Sequence, residues 1–122
     1  MINKIEGTYQ IEKVVSIVDG GESVVNYTNS TMSFSECKLK DQTVQQCAGY
    51  YQVEGSARIT FDYRPERDGG KEMMNINSFD FDSKPYFGGF YKIEDRKNNS
   101  LTLVRQRHRE SDKPDIIIYL KR

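Results

Sequence analysis

Apolar and polar residues alternate with a period of two along most of the chain, and no stretch keeps apolar residues at three-and-four spacing long enough to predict a helix. Ile5, Gly7, Tyr9, Ile11, Val15 and Ile17 share one parity, interrupted by Lys13, until Asp19-Gly20-Gly21 ends the run. This predicts a long, curved first strand. After Val24-Val25-Asn26-Tyr27, a second strand carries Met32 and Phe34 on one parity and Cys37 and Leu39 on the other, which a bulge near Ser35-Glu36 would reconcile. A third strand runs from about Thr43 to Val53 and turns at Glu54-Gly55-Ser56. The fourth alternates Ala57, Ile59, Phe61 and Tyr63 with charged and polar neighbours. The segment from Arg64 and Pro65 to Gly69-Gly70 reads as a loop. Met73 to Asp82 reads as a fifth strand, broken by Ser83-Lys84-Pro85, and Phe87 to Glu94 as a sixth with a bend at Gly88-Gly89. A turn from Asp95 to Ser100 leads into Leu101-Thr102-Leu103-Val104, and Ile116 to Leu120 supplies the last strand.

About eight strands in a meander, with one apolar face and no helix to cover it, must close on themselves. The expected architecture is all-β: a small closed or nearly closed antiparallel up-and-down barrel, in which the interior is filled by side chains or opened for one small ligand. Tyr9, Ile11, Phe61, Tyr63, Phe79, Phe81 and Tyr91 are expected to face inward, as plain core or as the wall of a pocket. Asn75 and Asn77 share parity with Phe79 and Phe81. If they face inward, their amides need partners that a hydrated or occupied lumen would supply.

The chain has 122 residues, the size of one domain spanning 1–122, with 8 Tyr and 6 Phe, too aromatic for a disordered segment. Its 18 basic and 18 acidic residues cancel, so no field over the whole molecule would gather nucleic acid. No apolar run approaches a membrane span, and the first residues carry no apolar signal core. Export would therefore require a signal segment outside this chain, and membrane attachment a lipid anchor also outside it. Cys37 and Cys47 are the only cysteines and flank a predicted hairpin centred on Gln42. Directly opposite positions, with Cα atoms roughly 4.5 to 5.5 Å apart, accept a disulfide. The alternative is two part-buried thiols. A bridge would stabilise by about 2 to 3 kcal/mol and imply an oxidising compartment.

Little in the sequence points to reaction chemistry. His108 is the only histidine, has no nucleophile in a recognisable motif near it, and with two cysteines falls one ligand short of a zinc site. Asp80 and Asp82 are too few for a calcium loop. Arg105, Arg107 and Arg109 share one parity and would form a cationic stripe able to hold an anion, unless Glu110, Asp112 and Asp115 neutralise it. No enzyme, metal or cofactor is expected.

Gly7-Thr8-Tyr9, Tyr27 with Met32 and Phe34, and the closing pair Leu101 to Val104 and Ile116 to Arg122 resemble the lipocalin-like domains of exported bacterial lipoproteins, within the calycin group. The resemblance covers nearly the whole chain. Tyr9 stands where the family's Gly-x-Trp signature has tryptophan, and no sequence follows the last strand to make the C-terminal helix of long lipocalins. It implies a barrel end floored by an aromatic residue, with a basic residue of the last strand, Lys121 or Arg122, stacked over it. It also implies an exported, lipid-anchored, non-catalytic protein of the periplasm or outer surface. Such a protein carries a small apolar or amphipathic ligand in its lumen or, as a filled barrel, meets protein or glycan.

Overall fold

A computed structural model describes residues 5–18, 20–35, 38–40, 44–68, 71–82, 85–97, 99–106 and 114–122. Ten strands follow one another: β1 (Gly7–Val18), β2 (Gly21–Asn26), β3 (Thr31–Phe34), β4 (Lys38–Lys40), β5 (Val44–Gln52), β6 (Ile59–Asp68), β7 (Lys71–Asn77), β8 (Gly89–Arg96), β9 (Ser100–Gln106) and β10 (Pro114–Lys121). The described residues contain no helix. Neighbours pair antiparallel in the order β1-β3-β5-β6-β7-β8-β9-β10, and β10 returns to β1, so eight strands close a ring. The other two are extensions. β2 pairs with the far half of β1, and β4 with the start of β5. The all-β, closed, eight-stranded meander expected from the period-two pattern is the observed fold.

Closure needs curvature, and single-residue irregularities supply it. Between β1 and β10 the register steps from Ile11↔Leu120 to Lys13↔Tyr119, leaving Glu12 unmatched. This step reverses the parity of β1. Tyr9 and Ile11 point into the core, then Val14 does, while Lys13 lies outside with its ammonium 4.7 Å from the Tyr119 ring centre. The simple alternation read from the sequence, with Val15 and Ile17 inward, is thus corrected beyond Glu12. Val15 is buried on the other face, between Val24 of β2 and Ile117 of β10. The expected bulge near Ser35-Glu36 falls partly outside the described residues, but the registers on its two sides are offset by one. From Phe34↔Gly49 to Lys38↔Gln46 one strand advances four positions and its partner three.

Two loop and strand boundaries also differ from expectation. The segment read as a loop at 64–70 belongs mostly to strands, because β6 and β7 stay paired out to Asp68↔Lys71. Pro65 is tolerated there because, among the described residues, β6 pairs beyond Tyr63 with β7 alone, and a proline lacks the N–H that a second partner strand would need. Conversely, β7 ends at Asn77 and not at Asp82, and 78–88 is a long connection into β8.

The lumen is occupied by a continuous apolar cluster drawn from all eight ring strands and from Ile5 and Phe87 beside them. Aromatic rings run through it in sequence. Tyr9 meets Phe34 at 6.0 Å between ring centres, Phe34 meets Phe61 at 5.9 Å, Phe61 meets Tyr51 at 6.1 Å, and Tyr51 meets Phe87 at 4.8 Å. Most of these contacts are edge-to-face, the arrangement that adds to simple burial. The phenols among the buried rings donate to backbone carbonyls: Tyr9 to Ile5 at 3.2 Å, Tyr63 to Ser35 at 2.7 Å and Tyr91 to Phe87 at 2.7 Å. Each bond removes the cost of leaving a buried hydroxyl without a partner.

Burial pushes the Tyr63 and Tyr91 hydroxyls well above the ordinary phenol range; at Tyr63 the nearby Glu6 adds to this, while at Tyr91 the Arg105 charge opposes it. The native state therefore keeps protons that the unfolded chain loses near pH 10. Stability is fully present below that pH and should fall above it by about 1.4 kcal/mol per pH unit for each of the two tyrosines. Urea unfolding between pH 8 and pH 11, followed alongside tyrosinate absorbance, checks this. Ionisation of all eight tyrosines near pH 10 without unfolding would contradict it.

Candidate functional site

The register places the chain start, the 64–71 hairpin, the 95–100 turn and Arg122 at one end of the barrel. The 27–30 segment, the 53–58 turn and the 78–88 loop lie at the other. The first end is sealed. The guanidinium of Arg122 lies 4.7 Å from the centre of the Tyr9 ring and donates to the Tyr9 hydroxyl at 2.7 Å and to the Glu6 carbonyl at 2.6 Å. It lies over Gly7, whose φ of +126° is a backbone conformation that side chains rarely adopt. Of the two basic residues considered for this position, Arg122 occupies it.

The opposite end is built by loops. Asn29, in the left-handed region at φ 49°, donates to Glu54 at 2.6 Å, and Thr28 donates to the same carboxylate at 3.1 Å. These bonds, that of Asn29 foremost, hold the Glu54 carboxyl below its ordinary range. The 53–58 turn is thereby tied to the 27–30 segment. Between this turn and the 78–88 loop lies a pocket of about 130 Å³ lined by Tyr51, Val53, Ile59, Asp80 and Pro85 among others.

The 78–88 loop is the most elaborate feature at this end. Phe87 turns inward against Tyr51 and plugs the lumen, fully buried. Tyr86 donates to the Ser78 carbonyl at 2.7 Å, bridging the two ends of the loop. Arg105 of β9 reaches under the second end and donates to the carbonyls of Tyr86 at 2.8 Å and Gly88 at 3.1 Å. The rest of its guanidinium forks onto Asp115 at 3.0 and 3.3 Å. Asp115 is the residue left unmatched between Pro114 and Ile116, and the step in register turns its carboxylate to Arg105. Burial opposes the charge on Arg105, and the Asp115 carboxylate together with the Tyr91 hydroxyl more than compensates. The arginine passes over Gly89, whose φ of +147° and missing side chain leave it the space.

On the outer side of this loop, residues 75–79 with Phe81, Tyr86, Gly88 and Gly89 line a groove of about 300 Å³. Phe79 is 84% exposed and Phe81 69% exposed, with the Phe81 ring 5.5 Å from that of Tyr86 and tilted 33° to it. Asn75 is half-buried and Asn77 exposed on the outward face of β7.

The residues singled out in the sequence therefore separate. Tyr9, Ile11, Phe61, Tyr63 and Tyr91 meet in the lumen core. Phe79 and Phe81 do not, because β7 has already ended, and Asn75 and Asn77 face outward because Met74 and Ile76 are the inward residues. The signal was present. Apolar parity changes from even at Met74 and Ile76 to odd at Phe79 and Phe81, which marks the end of a strand. Arg105 is an ion-paired anchor for the loop and not part of a free cationic stripe; Arg107 and Arg109 lie outside the described residues, as does Cys37. Cys47 is buried on β5 opposite Tyr63. Sequence reasoning missed Met32, Tyr51 and Met74 as interior residues. Among the described residues, no three metal-ligating side chains gather.

A closed eight-stranded antiparallel meander without helices, sealed at one end by an arginine over an aromatic ring, is a lipocalin-like barrel. A crystal structure of a lipocalin-like protein from Bacteroides uniformis is similar over 98% of both chains, with a TM-score of 0.54 and 14% sequence identity. That degree of likeness establishes the fold. No protein-family model matches the chain, and no curated protein matches it.

Replacing Arg105 with Ala should leave the Asp115 carboxylate and two loop carbonyls without their donor. We expect a loss of roughly 1 to 3 kcal/mol in urea unfolding, together with faster amide exchange confined mainly to 86–90. Uniformly faster exchange over the barrel would show that Arg105 does not act through the loop.

Proposed function

We propose that this protein is a non-catalytic binding module that meets its partner on the outside of a filled barrel. The observation that carries this reading is the unbroken column Tyr9, Phe34, Phe61, Tyr51 and Phe87, which runs from the sealed end to the loop that plugs the other. A carrier would need that axis open. The buried hydroxyls of Tyr9, Tyr63 and Tyr91 are engaged with backbone carbonyls and so point no polar group at a lumen ligand. Exposed aromatic rings stand on the outer wall instead, and uncovered apolar groups on a small domain are a usual mark of contact surfaces.

The setting we propose is the exported one, lipid-anchored through a segment outside this chain and oxidising enough for a Cys37–Cys47 bridge. The β4–β5 register, Lys38↔Gln46 to Lys40↔Val44, is centred on position 42, and the same centre relates 37 to 47.

Native mass spectrometry of protein purified without denaturation, compared with and without reductant and after organic extraction, tests both points. The expected result is a ligand-free chain lighter than its reduced form by two hydrogens. A small apolar molecule recovered on extraction, with the lumen methyls of Met74 and Leu103 perturbed when it is added back, would replace this reading with that of a carrier. A mass unchanged by reductant would remove the bridge.

A further inference from the structure

We propose that the groove between β7 and the 78–88 loop is a binding site for a neutral oligosaccharide; this deepens the reading of an outward-facing binding module and rests on it. Three properties of the groove converge on that ligand class. First, the Phe79, Phe81 and Tyr86 rings offer flat apolar faces. Such faces suit the C–H-bearing side of a pyranose ring. Second, the amides of Asn75 and Asn77 stand two positions apart on the same outward face of β7 and make no hydrogen bond among the described residues. Each amide offers both donor and acceptor, as hydroxyl groups require. Third, among the described residues none that lines the groove carries a charge, and the nearest charges across β6, Asp62 opposite Asn77 and Arg64 opposite Asn75, are of opposite sign. Its volume, about 300 Å³, lies at the lower bound of ordinary small-molecule sites.

The same features disfavour other occupants. A purely apolar ligand would desolvate two amides without replacing their hydrogen bonds. A peptide adding as a strand would need a free backbone edge, whereas β7 is paired on both sides, by β6 and by β8. An anionic membrane surface would be repelled by Asp80 and Asp82, which are exposed beside the two phenylalanines.

One wall of the site is anchored before any ligand arrives. Tyr86 is held to Ser78, and the backbone on which it stands is held to Arg105 and Asp115. A preset platform loses little freedom on binding, which matters where each contact is weak.

The test is a two-dimensional amide NMR titration of the chain with cellohexaose, xylohexaose and mannohexaose, each to about 10 mM, against a Kd expected to be of the order of 1 mM. At least one should perturb the side-chain amides of Asn75 and Asn77 and the backbone of 78–82 and 85–89, leaving Met74 and Leu103 still. Phe81→Ala should weaken that binding roughly tenfold and Asn77→Ala roughly fivefold. Both variants should keep the parent melting temperature, since both side chains are exposed. If Phe81→Ala disturbs the loop, Asn77→Ala decides alone.

No response to any of the three sugars, or a response elsewhere on the barrel, overturns the proposal. So does a groove response to phosphatidylcholine vesicles alone, which would make the rings a membrane contact. A silent groove with a silent lumen defeats this proposal only. Perturbed amides of Met74 and Leu103 defeat the underlying reading as well.

Discussion

Closure of β1 against β10 is the constraint on which the rest of this structure depends. The sheet has an apolar inner face and, among the described residues, no helix to cover it, so only a strand that pairs at both edges can keep that face from water. β1 does so, with β10 along one edge and β3 then β2 along the other. The unmatched residues Glu12, Glu94 and Asp115 are the small departures that let a twisted sheet meet itself. They also decide which residues lie inside, because each step exchanges the two faces of a strand.

That coupling explains what could be read from the sequence. Period-two alternation is a local property, and it identified the eight strands of the ring, though not all of their bounds, and the closed class of fold. It also placed Tyr9, Ile11, Phe61, Tyr63 and Tyr91 inside, since each precedes or avoids an irregularity. It failed where parity was carried across a step or past a strand end. Val15 and Ile17 lie beyond Glu12, and Phe79 and Phe81 beyond Asn77. Nothing in the residue types at Glu12 announces a bulge. Its cause lies in the partner strand's register, which is set by contacts more than a hundred residues away in sequence. The outer groove was legible only in part. Its residues were singled out, but on the wrong side of the wall.

The two ends of the barrel use one device. At each, an arginine lies over a glycine of positive φ and donates to backbone carbonyls, Arg122 over Gly7 and Arg105 over Gly89. A guanidinium has enough donors to bind several carbonyls and still engage a ring or carboxylate. A lysine carries its three donors on one nitrogen and cannot fork onto a carboxylate while reaching two carbonyls from separate nitrogens, as Arg105 does. At both ends of this barrel, planar cations bind the chain's own backbone.

β2 stands apart from all of this. Every residue of β2 is exposed and none belongs to the lumen cluster, so the ring of eight strands is complete without it. A segment that carries no part of the core is free of the jigsaw constraint that core positions impose on one another. Its tip is thus the place where the chain could lengthen by insertion, in evolution or by grafting a foreign peptide, while the barrel beneath stays as it is.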